Sequence, residues 1–320
     1  MTPWLRRQPK LSLVVIVYNM AREAPRTLYS LSCDYQRGID ADDYEIIVVD
    51  NGSDQPLDAT LFKTLRGQFF YHRREPGEAS PARAINQGVA EARGELIGVS
   101  IDGARLCSPG LLSWALRAAE AFAQPVVATL NWHLGPKPQN VSIAEGYDQT
   151  VEDRLLESIR WPADGYALHS ISALGGSSRR GYFCPLSESN VIFMRRALFT
   201  SLRGYDPAFT SPGGGLVNLD FYKRACEHPD SELVVLLGEG SFHQLHGGII
   251  TNAGERKQAR RARFDAEYRQ LRGSDFRPPQ REAVFMGSSP PAALGTLAWS
   301  VEQAQAYHAT ARADTDAGRP

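Results

Sequence analysis

Leu11-Ser12-Leu13-Val14-Val15-Ile16-Val17 breaks into Tyr18-Asn19, and after a helical stretch Ile46-Ile47-Val48-Val49 ends in Asp50-Asn51-Gly52-Ser53-Asp54. Both apolar runs are short, β-branched and nearly free of polar residues, as expected of strands buried on both faces of a parallel sheet. Each ends in small polar residues, so the chain leaves the sheet at its carboxyl edge, where open α/β sheets bind ligands. An acid placed there accepts hydrogen bonds from hydroxyl or N–H donors.

Working outward, Ala24, Leu28, Leu31 and Tyr35 recur at helical spacing over 21–37, with Pro25 in the first turn. A short helix is expected over 57–67 and a strand at Phe69-Phe70-Tyr71. The turn-rich 75–81 leads into a helix from Ala82 to Ala92, stopped by Gly94. Leu96 to Ile101 reads as a strand ending in Asp102-Gly103-Ala104, 109–123 as a helix and 125–130 as a strand. Residues 145–160 look helical and 163–187 loop-dominated. A strand at 190–194, helices at 196–202 and 217–227, and a last strong strand at 233–237 follow. This alternation predicts an α/β fold with a mostly parallel, doubly wound, Rossmann-like sheet. Beyond Asn252 the chain changes to a charged helix, Glu255 to Arg272, and a Pro-rich tail. The expected division is a ligand-binding domain over 1–252 and an extension over 253–320.

Hydrophobic residues make up 42% of the 320 residues, enough for a substantial core, and the formal net charge of -1 argues against a general grip on nucleic acid. No apolar stretch approaches the roughly 20 residues of a membrane span. The basic first ten residues lack a signal-peptide core. Cys33, Cys107, Cys184 and Cys226 are scattered without a CxxC pair, which predicts reduced thiols and a cytoplasmic setting.

Six segments carry candidate chemistry. They are Val14 to Asn19 with Glu23, Val48 to Asp54, and Ala82-Arg83-Ala84-Ile85-Asn86-Gln87-Gly88. Ser100-Ile101-Asp102-Gly103-Ala104 is the fourth. The fifth joins Arg203-Gly204-Tyr205-Asp206-Pro207 to Asn218-Leu219-Asp220-Phe221-Tyr222-Lys223-Arg224. The last, Gly238 to Gly248, holds His243 and His246, two imidazoles among glycines that core packing explains poorly. In this order and at these separations the segments resemble the inverting family 2 glycosyltransferases of GT-A fold, over roughly residues 10–250.

The resemblance implies a sheet of GT-A type with a C-terminal helical, Pro-rich extension. It also implies transfer of a sugar, with inversion, from a nucleotide-diphosphate-sugar to a hydroxyl acceptor such as a glycan. The setting it suggests is polysaccharide or surface-glycan assembly, with peripheral membrane contact open. Tyr18, Asn19 and Asp50 would border the nucleoside; Asp50 has an Asx-turn as its alternative role. The helix of Arg83 and Asn86 would lie against the nucleotide-sugar, with Arg83 a fixed cation toward the diphosphate unless it lies on a solvated helix face, and Asn86 able to bridge loops by hydrogen bonds. Asp102 opens the segment where the family holds a divalent metal, Mn or Mg, between two acids, but Ala104 replaces the second acid. Asp102 with His243 and His246 would then be a sparse metal set. The usual base position is the amide Asn218, which cannot take a proton. Asp220, with Glu188 behind it, is the candidate base, unless Asp220 is a structural acid paired with Lys223 or Arg224. A non-catalytic nucleotide-sugar-binding partner is the alternative, motivated by Ala104 and Asn218. A nucleotidyltransferase is disfavoured because no Gly-rich loop followed by lysine succeeds the first strand. The basic run 255–263 reads as a solvated helix face, or else as a grip on an anionic acceptor.

Overall fold

The computed structural model describes residues 7–247 and 257–317. The N-terminal six residues, Gly248, Glu255, Arg256 and the 252/253 division lie outside the described residues.

Strands β1 (Leu11–Val17), β2 (Tyr44–Asp50), β3 (Phe69–Arg73), β4 (Leu96–Ser100), β5 (Arg105–Cys107), β6 (Pro125–Leu134), β7 (Ser172–Leu174), β8 (Val191–Arg195), β9 (Glu232–His243) and β10 (Ala283–Gly287) form one sheet. Its order is β10-β9-β6-β8-β4-β1-β2-β3, with β5 on β9 and β7 on β6. Strand β1 runs parallel to β2 and β4, β2 to β3, β6 to β9 and β9 to β10; β8 is antiparallel between β4 and β6. The largely parallel sheet anticipated from the β-branched runs is therefore present.

Helices α1 (Ala24–Ser30), α2 (Leu61–Thr64), α3 (Ala82–Glu91), α4 (Leu111–Ala121), α5 (Gln139–Ser142), α6 (Gln149–Ser158), α7 (Arg196–Ser201), α8 (Val217–Glu227), α9 (Lys257–Arg272) and α10 (Leu294–Ala317) cover the sheet and its ends. Successive residues of the central strands feed opposite faces. Val14, Ile16, Ile47 and Val49 pack with Ile85 and Val89 of α3 and Phe221 of α8. Leu13, Val15, Ile46 and Val48 pack with Leu28 of α1 and Leu111, Leu112 and Ala115 of α4. Both cores are needed because a parallel sheet has no solvated face.

Three expectations shift. The helix anticipated over 21–37 closes at Ser30. Ser30 and Ser32 hydroxyls donate to the carbonyls three residues back, Thr27 and Tyr29, and so compete with helix propagation. The helix over 57–67 shrinks to α2. The Pro-rich tail holds more order than composition suggests: β10 extends the sheet beside β9, and Pro290 and Pro291 lead through a short 3-10 turn into α10. Proline is accepted at a helix start, where its missing N–H has no intrahelical partner to lose.

The α3–β4 turn shows how closely the helical layer sits. A Cβ added at Gly94 would lie 2.6 Å from Ser12 N and 2.7 Å from Leu11 C, both backbone atoms of β1. Gly94→Ala is therefore expected to lower the unfolding free energy by about 1–3 kcal/mol through overpacking, as read by urea titration. A loss below ~0.5 kcal/mol would show that β1 yields to the extra methyl.

Candidate active site

Strands β2 and β4 flank β1, so Asp50 and Asp102 leave the same edge of the sheet with one strand between them. Gly103 lets the turn after β4 settle on the end of β1, since a Cβ there would come 2.9 Å from Ile16 O. In that turn Asp102 Oδ1 accepts from Ala104 N at 2.8 Å. One carboxylate oxygen thus shapes the loop and the other, Oδ2, faces His243, His246 and Arg105.

Strand β5 follows at once and pairs antiparallel with the end of β9, setting Arg105 opposite His243. This register carries His243 to Asp102 from far along the chain. His243 Nε2 lies 2.9 Å from Asp102 Oδ2, and His246 Nε2 lies 3.6 Å from the same oxygen and 3.1 Å from His243 Nε2. The three ligand-type atoms fall within 4.8 Å of one another. Burial lowers the imidazolium of His243 to about 4 against the pull of Asp102, so this ring is neutral at ordinary pH. Burial opposes charge at His246 and Asp102 too, but there mutual attraction wins. His246 is raised, and Asp102 is held well below the usual carboxylate range by His246 and His243.

Surrounding groups hold the trio in place. Gln139 of α5 bonds His243 through both its amide atoms. Glu152 of α6 accepts from Leu245 N at 2.6 Å, and Arg22 bonds Glu23, Glu152 and Leu245 O. The loop between the two histidines is thereby tied to α1 and α6.

Arg105 was not singled out from the sequence. It is 6% exposed and donates to Asn131 Oδ1 at 2.7 Å. Its Nε has no hydrogen-bond partner among the described residues and lies 3.8 Å from Asp102 Oδ2. The guanidinium also interacts electrostatically with Glu188, so one buried cation underlies both carboxylates. Ile101 N donates to Asn190 O, which seats the half-buried Glu188 and its turn beside the end of β4. Asn218 of α8 donates to Glu188 Oε2 at 2.8 Å and accepts from Tyr205 Oη at 3.2 Å.

Asp220 is not brought to this site. Two residues beyond Asn218 is ~200° around a helix, so the two cannot share a face. Asp220 is 1% exposed and binds Arg224 and Arg272, the latter at 2.6 Å through Oδ1 and 2.8 Å through Oδ2. It is a structural acid that docks α9. Asp50 is fully buried, with Oδ1 accepting from Ser53 N and Oδ2 from Tyr71 Oη; it braces the loop after β2. Asn19, at φ 52°, is cross-tied to Asp54 by both side-chain atoms, which leaves the 51% exposed Tyr18 as the open surface of that loop. Asn86 spans to both backbone atoms of Tyr205, bridging α3 to that loop. Arg83 is 58% exposed at its side chain, 3.3 Å from Glu78.

Residues 12–149 match the family model for glycosyl transferase family 2. The motif-based resemblance to that family is thus shown for the segment from β1 to the start of α6. The match ends before Glu188, Asp220, His243 and His246. No curated protein matches the chain. Among solved structures, TarS of S. aureus aligns over 82% of this chain and 42% of its own, with TM-score 0.50 and 13% identity. TarS 1-349 with UDP-GlcNAc aligns over 82% and 73%, with TM-score 0.48 and 14% identity. The protein has the GT-A fold, and it spans less than half the length of the full TarS chain.

If Asp220 serves structure, Asp220→Asn removes the buried negative charge that Arg224 and Arg272 share. The expected loss is about 3 kcal/mol of stability in chemical unfolding, the scale of breaking a buried ion pair. A variant as stable as the parent would contradict the docking role.

Proposed function

We propose that the protein is an inverting glycosyltransferase that moves a sugar from a nucleotide-diphosphate-sugar to a hydroxyl acceptor. The observation that carries this reading is the convergence of Asp102, His243 and His246 at the carboxyl edge of a GT-A sheet. One carboxylate and two imidazoles suit a divalent cation of manganese type better than magnesium, which favours all-oxygen sets. Asp102 Oδ2 and the two Nε2 atoms would hold it; when bound, such a cation supplies Lewis-acid stabilisation of a leaving diphosphate. Arg105 adds fixed positive potential beneath the same point. It stands one residue after Ala104, where the second acid of the family motif is missing, and so shifts the local charge in favour of an anionic leaving group.

Glu188 is the base in this reading. An attacking hydroxyl must lose its proton as it approaches the anomeric carbon from the side opposite the leaving group. Glu188 is a carboxylate in the turn before β8, beside the end of β4, oriented by the Asn218 amide that occupies the usual acid position. Tyr18, on the loop braced by Asn19 and Asp50, would border the nucleoside, and Arg83 at the rim can turn toward the diphosphate. The acceptor would be a glycan or another hydroxyl compound in polysaccharide or surface-glycan assembly, in the cytoplasm. No helix among the described residues is long and apolar enough to cross a membrane, and the four cysteines are free.

Ala104 and Asn218 favour one second reading, a nucleotide-sugar-binding protein without turnover. Glu188→Gln separates them. Donor affinity by calorimetry should stay near the parental value while transfer falls on the order of a hundredfold or more. A parent that binds donor and never transfers or hydrolyses it supports the binding module; unchanged transfer in Glu188→Gln moves the base elsewhere. Asp102→Ala should weaken manganese binding by at least about tenfold in calorimetry, and unchanged affinity would remove the trio as the cation site.

A further inference from the structure

Gln139 lies outside every motif and is 3% exposed at the start of α5. Its amide meets His243 at two points. Nε2 donates to the His243 carbonyl oxygen at 2.9 Å, and Oε1 lies 2.6 Å from the ring Nδ1. A backbone carbonyl only accepts, so the amide cannot be flipped: its NH2 group must face the carbonyl and its oxygen the ring. That oxygen only accepts as well, so Nδ1 must carry a proton. A neutral imidazole has one such proton, and Nε2 is left as a bare lone pair. The lone pair faces Asp102 Oδ2 at 2.9 Å and His246 Nε2 at 3.1 Å. Gln139 is itself fixed, because its backbone N donates to His133 Nδ1 at 2.9 Å.

The neighbouring carboxylate by itself would select the opposite tautomer, with Nε2–H donating to Asp102. Gln139 works against that preference. We propose that Gln139 is a positioning residue that selects the Nδ1–H tautomer of His243 and so turns the bare Nε2 toward Asp102 and His246. Of the three converging atoms, only His246 Nε2 can then bring a proton, and a cation needs to displace that one proton alone. This use of the lone pair rests on the cation reading of the trio, but the tautomer does not, and it is measurable in cation-free protein.

The test is a long-range proton–nitrogen correlation spectrum of the full chain labelled with 15N-histidine, stripped with chelator, near neutral pH. Signals of His243 are assigned by their loss in His243→Gln. The parent is expected to show a protonated Nδ1 and an unprotonated Nε2. Gln139→Leu should move His243 toward the Nε2–H form and weaken cobalt(II) binding, followed by its visible absorption, by about 10- to 100-fold. Gln139→Glu keeps the acceptor and should keep the tautomer. A parent in the Nε2–H form, or with both ring nitrogens protonated, overturns the proposal, as does a folded Gln139→Leu with unchanged tautomer and unchanged cobalt affinity. Should Gln139→Leu not fold, the parental spectrum and Gln139→Glu still decide. A parent in the Nδ1–H form that binds neither cobalt nor manganese would end the cation reading and leave the tautomer selection standing.

Discussion

The antiparallel pairing of Arg105–Cys107 with Ser241–His243 is the constraint on which the rest of the site depends. It is only three residues long, yet it joins the turn after β4 to the end of β9. Its register places Arg105 across from His243, and the loop beyond brings His246 to the same carboxylate. The site's charge pattern follows. A buried guanidinium lies beneath Asp102 and near Glu188, and two imidazoles lie above, one neutral by burial and one favoured in its charged form.

Burying so many polar groups at a sheet edge is tolerable only where they satisfy one another. Most do. Asp102 uses one oxygen on its own turn, Gln139 spans His243, Glu152 takes Leu245 N, and Gln244 Nε2 donates to Glu23 O and Thr27 Oγ1. The groups left open are informative by position. Arg105 Nε, buried 3.8 Å from Asp102 Oδ2, has no hydrogen-bond partner among the described residues. Holding such a trio from several packed elements keeps its geometry set before a ligand arrives, which is what electrostatic catalysis requires.

The fold was legible because its central strands declare themselves by β-branched runs and its helices by period. His243 and His246 were legible as imidazoles among glycines that core packing explains poorly, and Asp102 through the resemblance of its segment to the family's metal-holding motif; the structure brings the three together. Asp220 and Glu188 were harder to rank. In one dimension two acids near a motif look alike, whereas the helix rotates Asp220 away to meet Arg224 and Arg272 and leaves Asn218 facing Glu188. Asp50 showed only that an acid ends β2; that both its oxygens are taken by Ser53 and Tyr71 depends on the pairing of β2 with β3. Gln139 gave no local signal, since its role arises from His243, 104 positions away; Arg105 stands three residues from Asp102, but its burial beside that acid follows from the pairing of β5 with β9 and from Asn131, 26 positions away. The Pro-rich tail showed no strand or helix in its composition, whereas Pro290 and Pro291 lead into α10 and β10 forms only by pairing with β9.

Asp102, His243 and His246 are proposed to form one cation site serving a nucleoside diphosphate. The most direct measurement is a crystal structure of the protein grown with manganese and a nucleoside diphosphate, with anomalous data collected for manganese. The expected result is a peak at bonding distance from Asp102 Oδ2 and both Nε2 atoms, with phosphate oxygens completing its coordination. A diphosphate bound elsewhere, or a manganese peak that leaves these three side chains untouched, would contradict it.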